Sequence, residues 1–176
     1  MTWFLPIGVG AALAVGGAKA QDAAAHIPAL HGAVLTGQTV DLPEALKGKV
    51  GVLVVGFSQS SREESTAWGK RLYGDYRESG AVLYYEMPVL ASVPKLVRGW
   101  VLSKIKGSVP PVAQGRFLPV LDHEGDWKAA VGFSRADVAY ILVVDGKGQV
   151  CWKTEGPASD VSYTEVKKQV DQARSK

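Results

Sequence analysis

Apolar residues along this chain fall into unbroken runs and into helical stripes, and their alternation predicts an α/β protein. Val50-Gly51-Val52-Leu53-Val54-Val55-Gly56-Phe57 is almost continuously β-branched and apolar, the pattern of a strand buried on both faces of a sheet, so it is read as the central strand. Beyond it, Ser60/Glu63 and Ser61/Glu64 both have capping-box spacing, in which a hydroxyl and a carboxylate three residues apart cover the open N–H groups of a first helical turn. Trp68, Leu72 and Tyr76 then recur every four residues, predicting one apolar helical stripe that Ser79-Gly80 stops. Ala81 to Glu86 reads as the next strand, completing a β-α-β unit with its crossover helix on one face.

The middle of the chain changes character. Between Met87 and Leu121 there are five cations, Lys95, Arg98, Lys104, Lys106 and Arg116, and no carboxylate. Val93, Leu96, Val97, Trp100, Val101 and Ile105 fall at helical spacing, predicting an amphipathic basic helix from Ser92 to Lys106 with Lys104 intruding on its apolar arc. Pro110-Pro111 forces an extended connection before a short strand, Phe117 to Leu121. Ala139 to Val144 is a further strand, Asp145-Gly146-Lys147-Gly148 a hairpin turn and Val150 to Lys153 the returning strand. A terminal helix is expected from Ser162 to Ala173, with Val161, Val166 and Val170 facing inward. A short strand and a turn precede the central strand, between Gly37 and Lys49. The order β-α-β, helical insertion, β-hairpin, α is the thioredoxin-like arrangement, a mixed sheet flanked by helices.

Composition narrows the setting. A chain of 176 residues with 47% hydrophobic content suits one domain with one sizeable core. The net charge of +3, from 20 basic and 17 acidic residues, is too mild for a protein that coats nucleic acid, so any basic function is local. Trp3 to Gly17 is apolar or Gly/Pro throughout, and Ala18-Lys19-Ala20 supplies a small-x-small cleavage pattern. Residues 1–20 are therefore read as a signal peptide, 21–36 as a flexible lead-in and 37–176 as the domain, exported to the periplasm or the outer face of the cytoplasmic membrane. An uncleaved anchor is the alternative, because no Lys or Arg precedes the apolar run. With a single cysteine, Cys151, no intramolecular disulfide can form.

Several of these segments carry a resemblance. Leu46-Lys47-Gly48-Lys49-Val50, the buried strand, the helix opening after it and the late Val-Val-Asp-Gly-x-Gly hairpin resemble the periplasmic redoxins, in which the helix opens with Cys-x-x-Cys. Here that position holds Ser60, Ser61, Arg62, Glu63 and Glu64, and Ala139 stands where those proteins place a cis-proline against the dithiol. The chain is more similar to the family of the mitochondrial assembly factor that attends subunit a of the ATP synthase Fo sector, with its bacterial relatives. Lys47-Gly48-Lys49-Val50, Glu63-Glu64 followed by Trp68, Glu86-Met87-Pro88, and the run Ala139 to Trp152 closing at Gly156 carry that similarity. It implies a non-redox assembly factor or chaperone acting on a membrane-protein client, with no cofactor.

Candidate sites are read against this background. The serines opening the helix are caps before they are nucleophiles, since a serine nucleophile needs an oriented base and the three histidines lie elsewhere in the sequence. A cleft between Phe57-Ser58, with Ser60 and Ser61, and Ala139 is a candidate ligand site. Asp122-His123-Glu124-Gly125-Asp126 gathers potential metal ligands but reads as a solvated turn, and no metal is expected. His26 and His31 lie in the lead-in and are expected to be exposed. Cys151 is the residue on which the rival reading rests, a single-cysteine thiol reductase or peroxidase. Its place just after the hairpin turn, remote from the helix start that would lower its pKa, points instead to a small buried thiol. Lys95, Arg98, Trp100 and Lys106 on the basic helix are the candidate binding surface for a client or a membrane.

Overall fold

The computed structural model describes residues 25–175, so the proposed signal peptide lies outside the described residues. In chain order the elements are β1 (Leu30–Ala33), β2 (Thr39–Leu42), β3 (Val50–Gly56), α1 (Arg62–Tyr76), β4 (Val82–Pro88), α2 (Lys95–Ser108), α3 (Glu124–Val131), β5 (Ala139–Val144), β6 (Val150–Glu155) and α4 (Asp160–Arg174). The main sheet runs β4-β3-β5-β6, with β3 and β4 parallel and the other neighbours antiparallel. β1 and β2 form a separate antiparallel hairpin. This is the thioredoxin-like mixed sheet, and α2 is the helical insertion after the β3-α1-β4 unit.

Every residue of β3 and β5 is buried, which explains why neither strand alternates apolar with polar positions. Because side chains alternate between faces, the two strands feed two cores. On one face Val52, Val54, Ile141 and Val143 pack with Trp68 and Leu72 of α1 and with Tyr163, Val166 and Val170 of α4. On the other, Leu53, Val55, Leu142 and Val144 pack with Leu42 and Leu46, with Leu118 and Val120, and with Trp127 of α3. Each such apolar side chain contributes about 1.5–3 kcal/mol by leaving water.

Four expectations need correction. Residues 25–36 of the lead-in are held against the domain rather than flexible: Ile27 is buried, its N–H donates to the Gly148 carbonyl, and Val150 N–H donates to the Ala25 carbonyl. The Phe117–Leu121 segment runs parallel to β4, donating to the Glu86 and Pro88 carbonyls and accepting from Leu90 N–H just beyond it, but it makes only isolated bridges rather than a regular strand. The acidic turn is the start of α3, whose Trp127, Ala130 and Val131 are buried one helical turn apart. Val161 is 82% exposed: it lies in the first turn of α4, after the cap in which Ser159 Oγ accepts from Ser162 N–H, and Tyr163, Val166 and Val170 are the residues of α4 that are buried.

One carboxylate sits inside this frame. Glu86 follows Tyr84 on the α1 face of β4, and its carboxyl rests against Gly69, where a Cβ would overlap it. Burial pushes the Glu86 carboxyl up to about 7. Since the folded-state pKa lies above the unfolded one, the folded protein binds this proton more tightly. Stability is therefore full below about pH 4.5 and declines as pH rises through about 7. Glu86→Gln should raise the melting temperature at pH 8, by an amount equivalent to at most about 3 kcal/mol, and leave it nearly unchanged at pH 4. Thermal unfolding at both pH values checks this, and an equal effect at the two would rule out the titration.

Candidate functional site

In a redoxin the chemistry lies where the first strand of the β-α-β unit meets its helix, and here that corner is occupied by hydrogen bonds. Ser61 is buried in helical conformation just before α1, and its side chain caps nothing, contrary to the capping-box expectation. Its Oγ donates instead to the Ser58 carbonyl at 2.9 Å and lies against Gly56, where a Cβ would approach it to 2.8 Å. Ser65 Oγ donates to the Ser61 carbonyl at 3.0 Å, and Ser58 Oγ to the Ala136 carbonyl at 2.7 Å. Ser60 is exposed and its N–H donates to Ser58 Oγ.

Behind these serines runs a circuit of three longer-range bonds. Ala139 N–H donates to Glu64 Oε2 at 2.9 Å, Gly156 N–H donates to the Ala139 carbonyl at 2.9 Å, and Trp68 Nε1 donates to the Gly156 carbonyl at 2.8 Å. Glu64 and Trp68 are one turn apart on α1, so the circuit begins and ends on the same helix. A proline at 139 would have no N–H to give, and Gly156 has a φ of +99°, which suits glycine. The Trp-x-x-x-Gly motif that ends at Gly156 therefore has a structural purpose.

At the cleft read from the sequence, Phe57 and Ala139 are packed while Ser58 and Ser60 are exposed. Phe57 meets Phe133 edge-on at 5.0 Å and Tyr140 at 5.7 Å, and Lys128 Nζ sits 4.7 Å from the Phe133 ring centroid. Ala139 is fully buried. Cys151 lies near the other end of the sheet. The β5–β6 register steps from Val143 opposite Trp152 to Val144 opposite Val150, so Cys151 is the extra residue of a bulge, half-buried rather than buried as expected.

The basic helix differs from the other α-helices among the described residues because α2 contributes no buried residue. Leu96 is 99% exposed and Trp100 66%, and Lys104 Nζ lies 5.6 Å from the Trp100 ring centroid. Lys95 and Lys106 are also exposed. Arg98 leaves this surface: its Nε donates to the Val93 carbonyl at 2.8 Å and one guanidinium nitrogen to the Ala91 carbonyl at 2.7 Å, tying α2 to the loop before it. A groove of about 860 Å³ separates α2 from the β1–β2 hairpin, with Leu30, Leu102 and Leu121 beside His31, Asp41 and Lys106. Sequence reading had no local signal for that groove, whose walls come from segments some sixty residues apart.

Comparison with known proteins fits this architecture. The family described as ATP10 protein matches residues 18–172. The chain belongs to that family. Its motifs and fold agree with a thioredoxin-like group of ATP synthase assembly factors. No curated protein matches the chain. Among solved structures, the ATP10-family chain resembles the thioredoxin domain of a thiol-disulfide oxidoreductase from Bacteroides vulgatus, at 20% identity over 84% of this chain and 96% of that one, with a TM-score of 0.57. BsSco, a member of the Sco family of cytochrome c oxidase assembly proteins, aligns at 14% identity over 85% and 94%, with a TM-score of 0.59. The exposed lipoprotein thioredoxin of Streptococcus pneumoniae aligns at 15% identity over 81% and 99%, with a TM-score of 0.58. At such identities these likenesses bear on the fold alone.

The circuit makes a prediction for this ATP10-family chain. Glu64→Ala leaves the buried Ala139 N–H without its partner and should cost about 1–3 kcal/mol, whereas Glu64→Gln keeps an acceptor oxygen and should cost less than about 1 kcal/mol. Urea unfolding of both variants measures the difference. A Glu64→Ala protein as stable as the parent would remove the circuit from the list of stabilising features.

Proposed function

We propose that this protein is a non-redox thioredoxin-like assembly factor, a chaperone for a membrane-protein client, and that the client is a membrane subunit of the ATP synthase. The observation that carries the reading is the corner itself: where a redoxin keeps a dithiol, Glu64 accepts the Ala139 N–H and the serines bond one another. Membership of the ATP10 family supports the client. The protein acts after export, in the periplasm or at the outer face of the cytoplasmic membrane, and the Ala18-Lys19-Ala20 pattern supports that location. Among the described residues no helix is long and apolar enough to cross a membrane.

Catalysis by Cys151 would require a thiolate, yet Cys151 sits in the bulge of β6, at the opposite end of the sheet from the start of α1. A strain lacking the protein should show depleted ATP synthase on native gels, with other membrane complexes retained. Cys151→Ser should restore assembly fully, at a stability cost of about 1–2 kcal/mol or less. A folded, normally stable Cys151→Ser protein that fails to restore assembly would sink the non-redox reading and promote a thiol enzyme.

A further inference from the structure

α2 exposes apolar side chains that no other part of the described chain covers. Leu96 projects almost wholly into solvent, Trp100 and Val97 stand on the same outward stripe, and Val112 of the following turn is 69% exposed. Globular proteins seldom leave a leucine and a tryptophan one helical turn apart in water without use for them. The inward side of the helix, Arg98, Val101, Leu102 and Ile105, is only half-buried, so α2 is held by one face and by the Arg98 bonds.

Charge says what covers the outward face. Residues 87–121 hold five cations and no carboxylate. Two of the cations are held by residues outside α2: Arg98 by loop carbonyls, with Asp122 at 3.8 Å, and Arg116 over the Tyr84 ring of β4 at 5.4 Å. Lys95, Lys104 and Lys106 remain, and among the described residues no ion pair neutralises them. Lys95 even occupies the first turn of α2, where the helix dipole disfavours a cation. Lys104 pairs with Trp100 on the same helix, its ammonium 5.6 Å from the ring centroid, a basic-aromatic pair that suits a headgroup interface.

Resting on the reading that the protein works at a membrane, we infer that the outer face of α2 docks on an anionic lipid bilayer, with Leu96 and Trp100 in the acyl boundary, Lys104 beside them among the headgroups, and Lys95 and Lys106 reaching the headgroups from the flank that borders the groove. Fourteen residues make a helix about 21 Å long, shorter than the roughly 30 Å hydrocarbon core, so α2 lies in the surface plane. A leucine standing clear of its helix needs a fitted pocket on a protein partner, whereas acyl chains receive it without one.

Quenching of tryptophan fluorescence by brominated lipid tests this. Five tryptophans are present, and the difference between the parent and Trp100→Phe isolates Trp100 from the others. With vesicles of about one-third phosphatidylglycerol in phosphatidylcholine, Trp100 should be quenched at low salt, and it should be released at high salt and on phosphatidylcholine alone. Lys95→Glu with Lys104→Glu and Lys106→Glu should weaken that quenched state at least about 100-fold, and Leu96→Ser about tenfold, with melting temperatures unchanged. Equal quenching on neutral vesicles, or none on anionic ones, overturns the inference. Shielding of Trp100 only in native membranes would assign α2 to the client and also overturn it, leaving the assembly reading intact. Normal ATP synthase in the deletion strain would sink the assembly reading without touching the vesicle result.

Discussion

Glu64, Ala139, Gly156 and Trp68 are joined by three hydrogen bonds, and the placement of α1 on the sheet depends on them. A helix start and a strand start meet at this corner, and each brings backbone N–H groups that are costly to bury without partners. In a redoxin that requirement coexists with a reactive pair of thiols. Here a carboxylate from α1 reaches the first residue of β5, and the indole of Trp68 secures the loop after β6, so the corner is closed from within.

Closing it moves the question of function to the surface. Both faces of the sheet are consumed by packing, one under α1 and α4 and the other under α3 and the β1–β2 hairpin. What stays uncovered is α2, an insertion attached by one half-buried face and by Arg98. The thioredoxin-like frame thus carries a basic, apolar-tipped helix on its surface. Glu86 adds a cost to the same frame, because its carboxyl is kept from water against Gly69 and is pushed up to about 7.

The inner strands were legible because burial on both faces leaves an unbroken apolar signature, and β3, β4 and β5 fall where that signature places them, while β6 follows from the Asp145–Gly148 hairpin turn. What the sequence concealed depends on distant partners. Ser61 has capping-box spacing, but its backbone is already helical and Gly56 leaves room for its side chain to turn inward, so the cap does not form. Arg98 reads as one more cation until the carbonyls of Ala91 and Val93 are seen to need donors. Ile27 is a lone apolar residue whose burial rests on Gly148, more than a hundred residues away. For α3 the signal was present: Trp127, Ala130 and Val131 have helical spacing, and the acidic residues before them belong to its first turn, where carboxylates are favoured. The pairing of Glu64 with Ala139 had no local signature at all, although both residues lie in motifs that carry the family likeness.

The central claim is that this corner is a permanent structural brace rather than an open site, and amide hydrogen exchange at Ala139 and Gly156 tests it most directly. A brace shares the fate of the core, so both amides should exchange only through global unfolding, with protection matching the slowest amides of β3 and β5. Exchange of Ala139 at the rate of a surface loop would mean that Glu64 releases it readily, and would contradict the account.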